Sequence, residues 1–291
     1  MKSAARVGFN PLTWFAIAGG RAAAPAIDVI YREIHDAGFS AVHAEVPDGM
    51  SVNAYRGLLT DVGLEPAPGY FSAAFANSAV MPAATEAAKR AASEHVQLGL
   101  ERIFIDDGFG ALSRSAAPAQ GVDADDGRLQ TIIDNLGTVA AAMTAEGVMP
   151  CLHQHVGTWI ESPHELTTVL DSIPETVLLF GPDTGHLAWA GADPAELIRR
   201  YRNRVGAVHL KDIRRQNAAG RDYRAAGAAH VWTEPGRGDV DFGSVLQALA
   251  GFDGWYVVEV DVPDQPTPKE SARVSAEWVR AHFGAATPSG A

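Results

Sequence analysis

GPDTGHLAWAGADPAELIRRYRNRVGAVHLKD, residues 181–212, is the stretch that decides how this chain folds. It completes an apolar run, VLLFGPD (177–183), that ends in the acid Asp183. Asp193 and Pro194 then open an amphipathic helix, the one as cap and the other in the first turn. VGAVHLKD (205–212) is a second apolar run, and it ends in His209, Lys211 and Asp212. Two successive strands therefore deliver polar groups at the same end. A parallel α/β barrel places its chemistry there, at the carboxyl ends of its strands. A carboxylate and an imidazole so delivered can share one metal ion or one substrate. Taken singly, Asp183 is equally a turn cap and His209 a hydrogen-bonded core histidine.

Strand and helix signals alternate along the whole chain. RVGFN (6–10), SAVHAEV (40–46), residues 65–70, RIFID (102–106), residues 148–153, the two runs of the opening stretch and residues 255–259 make eight strands. The third is weakened by Pro66 and Pro68. Between them lie helical periodicities, such as Ile27, Ile30, Tyr31 and Ile34 before Gly38. The clearest is Leu129, Ile132, Ile133, Leu136, Val139, Ala140 and Met143. Others start near Val52, Pro82, Pro163 and Ser244, and Trp278, Val279 and Phe283 stripe the last helix. Eight such units predict a closed (β/α)8 TIM barrel of the α/β class in one domain, residues 1–283, with a flexible tail over 284–291. A doubly wound open sheet would carry a Gly-rich phosphate turn after its first strand, and GFNPLTW is not one. The segments 108–127 and 216–238 are long for simple connections and are expected at the rim, the first as a surface or lid loop.

The 291 residues are 47% hydrophobic, enough for one large core of this kind. A formal charge of −12 repels a phosphate backbone, which argues against nucleic acid as a partner. Cys151 is the single cysteine, so no intrachain disulfide framework exists, and a reducing, cytoplasmic setting is expected. No apolar run approaches the roughly 18 residues of a membrane span, and MKSAARVGFN does not look like a signal peptide.

Four polar side chains fall at late-strand positions: His153, Asp183, His209 and Glu259. Two imidazoles and two carboxylates form a mixed set suited to a divalent ion, Mn²⁺ or Co²⁺ foremost, with Zn²⁺, Fe²⁺ or Mg²⁺ as alternatives. HQH (153–155) puts His155 on the same face as His153, one for metal and one for substrate. His186 points into the cleft or caps the next segment. Lys211 shares parity with His209 and is placed to neutralise an oxyanion, or it pairs with Asp212. Glu45 shares a face with His43, as a functional pair or a buried salt link. In EPGRGDVDF (234–242) the glycines suit a tight loop, and Arg237 is a candidate grip on substrate oxygens. Trp14, in the first loop, is a candidate substrate contact. His35, His95, His164 and His282 fall on helices and are expected at the surface.

HQHVGTWIE, DTGHLAWAGADP, VHLKDIR, EPGRGDVDF and GWYVVEVD, in this order, resemble the sugar phosphate isomerase/epimerase family, with its xylose isomerase-like barrel. Within that family the pattern is most similar to the inosose (2-keto-myo-inositol) dehydratase branch. The resemblance implies a metal at the ends of strands five to eight, on His153, Asp183, His209 and Glu259. Most relatives have a glutamate at the position of His153, and the dehydratase branch has HHH where this chain has HQH. The first loop, NPLTWFAIAGG, and EVDVPDQP after the last strand also depart from the dehydratase pattern.

The expected activity is that of a metal-dependent lyase on a keto-sugar or keto-polyol, an inosose or a 3-keto-glycoside. His155 or Glu259 is the base that takes the α-proton. Lys211 or Arg237 supports the enolate, and His186 or Glu45 is the acid for the leaving hydroxyl. A sugar isomerase or epimerase is one alternative. A 3-keto-glycoside lyase, with carbon–carbon cleavage beside a small partner subunit, is another. A non-catalytic sugar-binding barrel is the third. A homo-oligomer is compatible with all of these.

Overall fold

The computed structural model describes residues 5–284, so the expected tail falls outside them except for Gly284. Its strands are β1 (Arg6–Phe9), β2 (Ala41–His43), β3 (Glu65–Ala67), β4 (Tyr70–Ala73), β5 (Arg102–Asp107), β6 (Met149–Leu152), β7 (Leu179–Phe180), β8 (Ala207–Leu210), β9 (Asp212–Ile213), β10 (Trp232–Thr233) and β11 (Trp255–Val258). Two parallel runs form, β3-β2-β1-β11-β8 and β4-β5-β6-β7, while β9 and β10 make a small antiparallel pair. Two seams close the runs into a barrel. At one, the chain itself steps from β3, paired with β2, to β4, paired with β5. At the other, Phe180 bridges Val205 and Asp183 bridges His209, and His209 N donates to Pro182 O at 2.9 Å.

The third strand differs from expectation. In place of one strand over 65–70 the chain forms β3 and β4, broken at Pro68 and Gly69, which lets it step from one run to the other. Pro68 has no N–H to give a ladder. Gly69 passes so close to its neighbours that a Cβ would stand 2.2 Å from Ala44 O and 2.7 Å from His95 Nε2. His95 is therefore not a surface residue. It is buried on the inner face of the helix Met81–Gln97, where Nε2 accepts from Gly69 N at 3.0 Å and Nδ1 meets Ala91 O at 2.8 Å. His35, His164 and His282 do lie at the surface.

The helices follow their apolar stripes. Ile27–Ala37 buries Ile30, Tyr31 and Ile34 and stops at Gly38, whose φ of 112° suits only glycine. Asp126–Ala145 buries its whole expected stripe from Leu129 to Met143. The last helix, Pro268–Phe283, buries Ser271, Ala272, Ser275, Ala276 and Val279, with Trp278 and Phe283 half-buried at the edge. The segment after β5 carries a short helix, Leu112–Ala116. Its Arg114 is fully enclosed between Glu161, at 3.1 Å, and Glu165, at 2.6 Å, which pins it to the loop after β6. None of the described helices is long and apolar enough to cross a membrane.

Burial holds His95 down to about 4, so the neutral ring is the form that fits. A histidine whose folded value lies below its unfolded ~6.5 stabilises the fold above that pH and loses the contribution as pH falls toward the folded value. His95→Ala should cost about 1–3 kcal/mol at pH 7.5, because Gly69 N–H is left without its acceptor. Denaturant unfolding at pH 7.5 and pH 4.5 checks this: the gap between variant and native protein should narrow at the lower pH.

Candidate metal centre

The barrel interior is built in layers by the two-residue period of its strands. Ala41, Phe104, Cys151, Ala207 and Val257 belong to one small apolar cluster at its centre. Two residues on, toward the carboxyl ends, the same strands deliver His43, Asp106, His153, His209 and Glu259, all of them buried. Asp183 joins this polar layer from the end of β7 through its bridge to His209.

His209 Nδ1 is the centre of the cluster. It stands 3.1 Å from His153 Nδ1, 3.6 Å from Glu259 Oε2 and 3.7 Å from Asp183 Oδ2. The two oxygens of Asp183 are used differently. Oδ1 accepts from Gly185 N at 2.9 Å and His186 N at 2.8 Å and so caps the short helix Thr184–Trp189. Oδ2 is buried without a hydrogen-bond partner. Turn cap and ligand are thus both open to one side chain.

These residues fit a divalent cation. His153, Asp183 and His209 offer ligand atoms close enough to hold one ion, and Glu259 stands against the same nitrogen. Bonds of about 2.0–2.2 Å would set neighbouring ligand atoms roughly 3–3.6 Å apart, close to the 3.1–3.7 Å found around His209 Nδ1. Burial keeps both imidazoles neutral, His209 at about 4 and His153 well below its ordinary value, so each has a lone pair to give. Burial also pushes Asp183 up to about 7, against the pull of Lys211. A cation would remove that penalty. A second grouping, His153 with His155 and His186, is as compact, but it lacks a carboxylate and its nitrogens are largely engaged elsewhere.

Lys211 lies behind the cluster. Its Nζ reaches Glu259 at 2.6 Å, Asp261 at 3.0 Å and Asp183 at 3.7 Å, and sits 4.6 Å from the centre of the Trp232 ring. Burial works against its charge, yet Asp261, Glu259 and Asp183 together hold it well above the ordinary lysine range. Burial likewise works against the Glu259 carboxylate, but the Lys211 ammonium against it keeps it well below its usual value. Lys211 does not pair with Asp212. That carboxylate instead accepts from the backbone of Gly236, Gly238 and Val240 at 2.8–3.0 Å, folding the EPGRGD loop around itself.

The other expected site residues divide. His155 meets the cavity above the cluster, with Nδ1 on Val156 O at 2.7 Å and Nε2 turned to the Tyr223 hydroxyl at 3.5 Å. Burial, then Lys211, brings it down to about 3, so Nε2 carries a lone pair. His186 is fully enclosed: Nδ1 accepts from Val156 N at 3.2 Å and Nε2 faces Lys211 Nζ at 3.2 Å. Both nitrogens thus face protein groups, and the ring does not line the cavity that His155 meets. Glu45 reaches the same cavity at the rim and pairs with Arg21, not with His43. Arg237 is drawn off by Glu234 and Asp264 at 3.4 and 3.5 Å, and is not brought to the cluster. Trp14 is buried in the outer core, edge-on to Phe9, and its Nε1 donates to Glu33 at 2.7 Å, so it does not face substrate.

Several residues at the site were missed. Asp106 reads in the sequence only as the end of a strand, although RIFID closes on an acid just as VLLFGPD does, and in phase with Phe104. Asn10 donates to Glu259 Oε2 from the end of β1, and Tyr223 and Trp232 come from the long segment after β8. Only Asp106 carried a usable signal in the sequence.

Purified protein should contain close to one divalent ion per chain. His209→Ala and Asp183→Asn should lose most of it, while His155→Ala should keep it, as read by elemental analysis of each folded variant. Full occupancy in the first two would remove the ligand assignment.

Comparison with known proteins accords with this geometry. The model of the xylose isomerase-like TIM barrel family matches residues 31–282. The inosose dehydratase of Geobacillus thermodenitrificans is 32% identical over 161 residues, covering 53% of this chain and 54% of that one. That of Lacticaseibacillus casei is 34% identical over 164 residues, covering 53% of each. The chain thus spans about half the length of the curated relatives it matches. Among solved structures, the probable 3-DHS dehydratase AsbF from Bacillus anthracis superposes with a TM-score of 0.71 at 15% identity, over 95% of this chain and 99% of that one. The 3-keto-D-glucoside 4-epimerase YcjR from E. coli gives 0.70 at 15% identity, over 95% and 99%. At that identity the two structures speak for the fold alone. With the family model covering most of its length and the barrel closed as described, this chain belongs to the xylose isomerase-like TIM barrel family.

Proposed function

We propose that this protein is a metal-dependent lyase that removes water from a keto-polyol of the inosose type. The observation that carries the reading is the joint presence of the buried His153–Asp183–His209–Glu259 cluster and, directly above it, a cavity of about 330 Å³ into which His155 turns. The identity to inosose dehydratases over half of the chain supports the choice of substrate class. His153, Asp183, His209 and Glu259 would hold the ion, Mn²⁺ or Co²⁺ in this reading. A divalent ion there supplies Lewis-acid polarisation of a ketone.

The chain's own groups then do the following. His155 Nε2, held as a lone-pair site by the Nδ1 contact to Val156 O, takes the proton from the α-carbon. Val156 is fixed in turn, because its N–H donates to His186. The protonated His155 passes that proton to the departing β-hydroxyl, which leaves as water, and the Glu45–Arg21 pair closes the rim of the same cavity. The α-carbon of an inosose already carries a hydroxyl, so the enol that remains relaxes to a 1,2-diketone. Lys211 keeps Glu259 ionised from behind, and Tyr223 and Trp232 shield the two histidines from water.

Incubation with Mn²⁺ and scyllo-inosose should give a product lighter by one water, read by mass spectrometry. A panel of 3-keto-glucosides and ketohexoses in D₂O separates the rivals. Unchanged mass with inversion at one carbon, and no dehydration of any inosose, would make the protein an epimerase on the same barrel. Release of an aglycone would make it a glycoside lyase.

His155→Ala should lower turnover about 10²–10⁴-fold, the usual range for a positioned acid or base, with metal content unchanged. Turnover within a few-fold of native protein would move the base to another residue.

A further inference from the structure

The cavity over the metal cluster has a second polar wall that the proposed chemistry does not use. His43 and Asp106 both face it, both are at least 96% buried, at 4% and 3% exposure, and each keeps one atom without a hydrogen-bond partner, His43 Nδ1 and Asp106 Oδ1. Tyr70 and Ser72 line the same wall from β4, with Ser72 opposite Asp106 in the ladder. His43 lies beside the Tyr70 ring, 6.3 Å between centres. Two unpartnered polar atoms in one enclosed space are costly unless a ligand or water meets them. A cavity of about 330 Å³ is ample for one six-membered polyol ring.

The charges around this wall point the same way. Arg21 is taken by Glu45, and Glu259 is taken by Lys211. Apart from the ion at the cluster, no cationic side chain among the described residues lining the cavity is left for a phosphate or carboxylate, and Asp106 adds an acid. An anionic substrate would meet repulsion there, whereas hydroxyl groups can donate to Asp106 and His43.

We infer that His43 and Asp106 form a hydroxyl-binding subsite that holds the far side of an uncharged polyol ring against the metal cluster and excludes phosphorylated and carboxylated sugars. This rests on the proposed reading for the ring type and names the residues that select it. Asp106 and His43 are positioning residues. They hold the ring and do not touch the bond that breaks.

The test uses binding, so that it stands apart from catalysis. myo-Inositol has no ketone and cannot be dehydrated by this route. Its affinity for Mn²⁺-loaded protein is measured by calorimetry, for native protein and for Asp106→Asn and His43→Phe, two substitutions that conserve shape. Metal content and circular dichroism are recorded on each. Each variant should bind myo-inositol about tenfold or more weakly, the effect of losing a buried hydrogen bond, at unchanged metal content. myo-Inositol 1-phosphate should bind native protein more weakly than myo-inositol itself. Equal affinity in both folded variants, no binding of myo-inositol to native protein, or tighter binding of the phosphate would each overturn the subsite. If myo-inositol binds as expected but no inosose loses water, the dehydratase reading fails and the subsite stands.

Discussion

The interaction on which the site depends is the burial of Asp183, Glu259 and Asp261 around one ammonium, that of Lys211. Isolated, any of these charges would be expelled from so enclosed a place. Together they are short of positive charge, with three carboxylates against one lysine and neutral histidines. The deficit falls where Asp183 Oδ2, His153 Nδ1 and His209 Nδ1 converge. A divalent cation fits that point by charge as well as by donor type.

The loops make this arrangement usable. Arg114, enclosed between Glu161 and Glu165, ties the segment after β5 to the loop that carries His155. Glu161 also accepts from the backbone of Ala119, Gly121 and Gly157, so one carboxylate gathers two loop segments. On the other side Tyr223 stacks on Trp189, 5.4 Å apart at 11°, and Trp232 stands against His186. Water is thereby kept from the inner histidines, while the His43–Asp106 wall stays within the open cavity. The His153–Asp183–His209–Glu259 cluster and the unpartnered wall so fall on different strands: the ends of β6, β7, β8 and β11 for the first, β2 and β5 for the second.

Where the reading of isolated residues failed, the reason is directional. In the sequence, Arg237 and Trp14 carry suitable side chains on loops of the chain. Yet Arg237 finds Glu234 and Asp264 on the far side of its loop, and Trp14 belongs to a short helix, Leu12–Ala18, that packs outward. His186 lies in a helix of six residues, Thr184–Trp189, that the pattern DTGHLAW did not announce, and that helix turns both ring nitrogens to protein groups. His95 follows a helical period on an alanine-rich segment, where hydropathy marks no inner face. Its burial is set by the approach of Gly69.

By itself, the sequence determined the alternation of strands and helices, the closed parallel barrel and the phase of the strands that end in polar residues. A period of two, read from apolar runs that end in polar residues, is local and survives without any knowledge of neighbours. It puts His153, Asp183, His209 and Glu259 at one end of the barrel. Tertiary structure alone decided what those residues meet. Lys211 finds Asp261 and Glu259, not the adjacent Asp212, because β8 lies beside β11. Asp183 finds His209 because the seam between the two runs closes at that pair. Asp106 enters the same layer from β5, more than forty residues before His153 in the chain. Such contacts depend on strand order and on which loop folds over which, and these are properties of the closed barrel that no single stretch of the chain contains.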